Sequence, residues 1–107
     1  MKTTNINFSV TVDENHLPEK IEWSAPDSGE QSVAESIMIA LWDKKENNTL
    51  RIDLWTKSMS VDEMKKFYLQ NLLTLTDTYI RATGDEISAN KAKKFFHELG
   101  REMKVLK

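Results

Sequence analysis

The hydrophobic pattern of this chain changes period once, near residue 60. Before that point apolar residues recur at every second position, and after it at every third or fourth. A period of two places residues on one face of a strand, and a period of 3.6 places them on one face of a helix. The chain is therefore expected to be built from strands first and helices second, which is the order of an α+β fold.

Ile6, Phe8, Val10 and Val12 alternate with Asn7, Ser9 and Thr11, which predicts a strand over 5–13. Asp13-Glu14-Asn15-His16-Leu17-Pro18 is turn chemistry. A second alternating stretch, 19–25, follows with Ile21 and Trp23 on its apolar side. Pairing Val10 with Ile21 and Phe8 with Trp23 puts all four on one face of a hairpin. Pro26 to Glu30 reads as a loop. Two readings compete for the next segment. Ser32-Val33-Ala34-Glu35 has the form of a capping box, and Val33, Ile37, Ala40 and Leu41 fit a helical stripe. Ile37 to Trp42 is also a compact apolar run of strand length. We adopt a second hairpin of strands 36–44 and 49–57, and leave open a short helical turn around 32–36. Its inner face pairs Leu41 with Ile52 and Ile39 with Leu54.

Ser60-Val61-Asp62-Glu63 is a capping box at the point where the period changes, and Gly84 can supply a left-handed cap. A helix over 60–83 results. Met64, Phe67, Tyr68, Leu72, Leu75, Tyr79 and Ala82 form its main stripe, and Leu69, Leu73 and Ile80 a second beside it. The second stripe suits either a homodimer contact or burial against the last helix, predicted over 87–104. The complete expectation is a four-stranded antiparallel sheet followed by two antiparallel helices packed on one face, as a single domain over 1–107.

The candidate chemistry is sparse. There is no cysteine, which removes disulfides and thiolate catalysis. His16 and His97 have no second ligand at metal-binding spacing, and only three glycines are present, too few for a phosphate-cradling loop. Asp53 stands alone inside a strand, where a salt bridge or an exposed outer-face charge explains it. No catalytic, cofactor or metal residue is therefore assigned, and the chain is read as non-enzymatic. The first residues carry no apolar leader, and no apolar run approaches the roughly 20 residues that span a bilayer. A cytoplasmic location without membrane insertion is expected.

Charge is unevenly spread. Residues 1–35 carry a net −5, residues 36–87 a net −1, and residues 88–107 a net +4. The basic end suits an acidic partner or a solvated helix face. The acidic balance of the whole, pI near 5.7, weighs against nucleic acid.

With Ile39, Leu41, Ile52 and Leu54 turned inward, Met38, Trp42, Arg51, Asp53, Trp55 and Lys57 turn outward. Trp42 faces Arg51 and Met38 faces Trp55 in this register. Tryptophan, arginine and methionine together have the composition of an interface hot spot. Cover from the 26–35 segment of the same chain is the alternative.

These residues carry a resemblance. Glu19-Lys20-Ile21-Glu22-Trp23-Ser24-Ala25, Leu41-Trp42-Asp43, Ile52-Asp53-Leu54-Trp55-Thr56-Lys57, Met59 and Val61-Asp62-Glu63-Met64-Lys65-Lys66-Phe67 resemble the GldC family of gliding-motility proteins of Bacteroidetes. The resemblance runs from about Ile6 to the last helix. It implies a small cytoplasmic protein associated with gliding, with no cofactor and no catalytic residue to carry over. The leading expectation is an accessory protein that binds protein components of the gliding machinery. A chaperone-like or hydrophobic-ligand-binding domain, with a groove lined by Met64, Tyr68 and Trp23, is the alternative, and nucleic-acid binding comes third.

Overall fold

The computed structural model describes residues 1–106 and divides the chain into two compact units, Met1–Met59 and the residues from Ser60 onward. The first unit is all strand: β1 (Asn7–Val12), β2 (Pro18–Ala25), β3 (Glu30–Ala34), β4 (Ser36–Asp43) and β5 (Asn48–Trp55). The second holds α1 (Val61–Thr83) and α2 (Glu86–Glu102). The α+β class and its strand-then-helix order agree with the change of period.

The strand count does not. Among the described residues, five antiparallel strands form two sheets, β1-β2-β3 and β4-β5, rather than one sheet of four. The first hairpin has the expected register, Val10 opposite Ile21 and Phe8 opposite Trp23. Its turn is closed by Asp13, whose Oδ1 accepts from the Asn15 and Leu17 amides at 2.8 and 2.9 Å. The missed strand is β3. Residues 32–35 form neither a capping box nor a helical turn; 32–34 pair with β2, Ala34 opposite Ile21 and Ser32 opposite Trp23, and Glu35 is a bend after the strand. Gly29, at φ 74°, takes the left-handed position that closes the 26–29 turn and brings β3 back along β2. Ile21 then lies on the central strand between Val10 and Ala34, and it is fully buried.

The second hairpin differs from expectation by two residues. Leu41 faces Leu50, Ile39 faces Ile52 and Ile37 faces Leu54, not Leu41 with Ile52 and Ile39 with Leu54. The turn decides this. Asp43 closes it through its carbonyl, which accepts from Asn47 at 2.8 Å, and its carboxylate, which accepts from Glu46 at 3.2 Å. Asn47 takes the left-handed conformation at φ 54°, so pairing resumes at Asn48. A shift of two preserves which side chains share a face. The expected inner face is not a closed core, because Leu41, Leu50 and Ile52 are each about half-exposed.

In the helical unit the capping box forms as expected. Glu63 N–H donates to the Ser60 hydroxyl and Ser60 N–H to the Glu63 carboxylate, both at 3.0 Å. Gly84, at φ 73°, ends α1 and donates its N–H to the Ile80 carbonyl at 2.7 Å. Asp85 caps α2 by accepting from Ser88 N–H, and it also accepts from the Tyr79 hydroxyl at 2.8 Å, which ties the end of α1 to the start of α2. Lys93 and Asp77 form an ion pair across the two helices. Leu69 is buried where α2 brings Gly100 against it, so this member of the second stripe serves helix packing rather than a dimer.

Candidate functional site

The outer face of β4-β5 is the surface singled out by the sequence. Parity places Met38, Trp42, Arg51, Asp53 and Trp55 together on it. Trp42 and Trp55 are 66% and 59% exposed, so neither the 26–29 turn nor β3 covers them. The detailed pairings expected across this face are corrected. Trp42 stands opposite Thr49, and Arg51 opposite Ala40. Met38 stands opposite Asp53, and Trp55 opposite Ser36. Trp42 and Trp55 thus occupy opposite ends of the hairpin, six strand residues or about 20 Å apart.

The charges on the face are spoken for. Arg51 does not lie over Trp42 as expected. Its guanidinium makes a two-pronged contact with Asp53, Nε to Oδ2 at 3.0 Å and Nη2 to Oδ1 at 2.9 Å. That contact raises the arginine's pKa and holds the Asp53 carboxyl below its usual value. The bond requires the two residues to share a face at i and i+2, which a strand provides.

Lys57 lies beyond the end of β5 rather than on it. Its N–H donates to the Pro18 carbonyl at 3.3 Å. Its Nζ donates to Asp13 Oδ2 at 2.6 Å and to Glu19 Oε1 at 3.3 Å. The ammonium, first, and then the Leu17 amide hold the Asp13 carboxyl down to about 2, while Asp13 in turn raises the lysine. The neighbouring residue, Thr56, is buried and donates its N–H to the Glu35 carbonyl at 2.8 Å. Lys57 is thus a joint between the end of β5 and the turn of the first hairpin.

That joint creates a feature the sequence did not announce. Leu17 and Pro18 stand beside Leu54, Trp55, Asp53 and Lys57 around an apolar groove of about 400 Å³. Leu17 is 48% exposed on its wall. The signal available in the sequence was an apolar Leu17-Pro18 pair inside an otherwise polar turn.

The histidines stay apart. His16 sits at φ 63° in the first turn, and His97 donates from Nδ1 to the Lys93 carbonyl at 2.7 Å. Among the described residues no group of three or more histidines and carboxylates is placed to hold a metal ion. No helix among them is long and apolar enough to cross a membrane.

These features define a small α+β protein with two exposed tryptophans on one face of a hairpin. The chain belongs to the GldC-like family: the family model for gliding motility-associated protein GldC-like matches residues 18–105. That span includes β2 to α2 and every residue of the outer face. The resemblance carried by Ile52 to Phe67 thus holds across most of the chain. No curated protein and no solved structure matches the sequence.

Proposed function

We propose that this chain is a non-enzymatic, cytoplasmic accessory protein of bacterial gliding motility, and that it binds a protein component of the gliding machinery through the outer face of β4-β5. One observation carries the reading: two tryptophans remain more than half exposed on one face of a hairpin. Exposing an indole to water forgoes much of the hydrophobic stabilisation its burial would provide. Tryptophan, moreover, dominates the residues whose loss most weakens protein interfaces. The family supports the process, since it is a gliding-motility family and not an enzyme family.

The test is genetic and structural together. Replacing the chromosomal copy in a gliding bacterium with a Trp42→Ala/Trp55→Ala variant is expected to abolish or strongly slow colony spreading. The purified variant should keep its far-ultraviolet circular dichroism. Normal spreading by a folded variant would remove this face from the function.

A further inference from the structure

The apolar groove beside Trp55 has a shape and a charge that select one kind of occupant. We propose that it receives an extended peptide segment of a partner protein, in which a bulky apolar residue stands next to a lysine or arginine. The proposal rests on the reading that this unit makes protein contacts, and it names the chemistry of the contact.

The groove is pre-formed. Leu17 is held by a turn that Asp13 closes from inside, through its amide to the Leu17 carbonyl at 2.9 Å and its Oδ1 to the Leu17 amide. The same turn is clamped from outside by Lys57, whose N–H reaches Pro18 and whose Nζ reaches Asp13. A wall fixed on both sides loses little freedom when a ligand arrives, which favours binding. The volume of about 400 Å³ is at the small end for ligand pockets and suits one or two side chains. Leu17, Pro18, Leu54 and the Trp55 indole give it an apolar lining.

The rim decides the sign of the neighbour. Asp53 and Lys57 line the groove; Asp53 is paired with Arg51, and Lys57 with Asp13 and Glu19, so the two clusters hold three carboxylates against two cations. Both cations are already bonded to carboxylates. Asp13 holds the closer of the two contacts to Lys57, so Glu19 is left with the longer one, and its side chain is 51% exposed. The residual charge is therefore negative and accessible at Glu19. An incoming guanidinium or ammonium can bond there, or lie over the Trp55 indole. An acidic segment would meet repulsion instead.

The test is selection of displayed random peptides on the full-length protein, followed by affinity measurement on the enriched sequences. The expected result is a motif with a large apolar residue within two positions of lysine or arginine. Leu17→Ser and Trp55→Ala should each weaken the selected peptide about tenfold or more, with the fold checked by circular dichroism. Glu19→Gln should weaken it several-fold and flatten its dependence on salt. Trp42→Ala, at the far end of the hairpin, should leave it within about twofold. No enriched motif, a motif free of basic residues, or unchanged binding by Leu17→Ser would overturn the proposal. So would a wild-type dimer in sedimentation that Leu17→Ser converts to monomer, because the occupant would then be a second copy. Leu17 and Glu19 lie off the outer sheet face, so failure here leaves the gliding result for the tryptophan variant standing on its own.

Discussion

At Gly100, α2 comes so close to α1 that a β-carbon would lie 2.6 Å from Leu69 Cδ2 and 2.7 Å from Leu106 Cδ1. Helix propensity alone favours alanine there by up to about 1 kcal/mol. Leu69 is fully buried and has nowhere to move, and overpacking a filled core costs about 1–3 kcal/mol. Gly100→Ala is therefore expected to destabilise the chain by about 1 kcal/mol, seen as a lower urea midpoint; a midpoint at or above wild type would mean the overlap is relieved without cost. Asp13 makes a different prediction at the same scale. Its folded pKa of about 2 lies below the ordinary aspartate value near 3.9. A depressed folded value gives stability that is present above the unfolded pKa and lost as pH falls through the folded one. Urea midpoints should thus drop between about pH 4 and about pH 2, and Asp13→Asn should flatten that part of the profile. An unchanged slope in the variant would show that other carboxylates carry it. Lys57→Met should raise the Asp13 pKa measured by nuclear magnetic resonance.

Elements in this chain form for reasons of unequal range. The α1 cap is local: Ser60 and Glu63, three residues apart, bond each other's amides. Ser60→Ala should cost about 1 kcal/mol in thermal unfolding, and the loss should shrink when Glu63 is already alanine, because the two bonds form as a pair. An additive double variant would deny that coupling. The first hairpin was legible because pairing Val10 with Ile21 and Phe8 with Trp23 puts all four on one face and also leaves the turn residues 13–18 as the connection. The second was legible only in its parity. Ile37, Ile39 and Leu41 can face Leu50, Ile52 and Leu54 in more than one register, and the choice fell to a turn in which Asn47, not Asn48, went left-handed. Strand β3 was illegible for a third reason. Glu30-Gln31-Ser32-Val33-Ala34 has no inward alternation of its own, and its strand conformation comes from pairing with β2.

Across the molecule, the two tryptophans are better described as two contact points than as one. About 20 Å of strand separates them, beyond the range over which substitutions usually couple. Once a partner is in hand, the affinity losses from Trp42→Ala and Trp55→Ala should add to within about 0.5 kcal/mol in a calorimetric double-mutant cycle. Strong coupling would mean a partner side chain bridges both. The charge of the chain follows the same division: the basic excess lies in 88–107, and the carboxylates of the groove rim lie in the strand unit. Of the six residues that the sequence offered as a contact face, five share that face. Lys57 instead serves as the joint that builds the groove.

The sequence by itself determined the order of strands and helices, the caps of α1, the register of the first hairpin and membership of a gliding-motility family. Each of these depends on residues close together in the chain, or on a pattern with one consistent solution. Tertiary structure decided the third strand of the first sheet, the register of the second hairpin, the pairing of Arg51 with Asp53 rather than Trp42, and the groove beside Trp55. The groove depends on contacts between segments far apart in sequence, such as Lys57 with Asp13; the other three are choices between near neighbours, where several partners fit the local pattern and only the assembled backbone selects one.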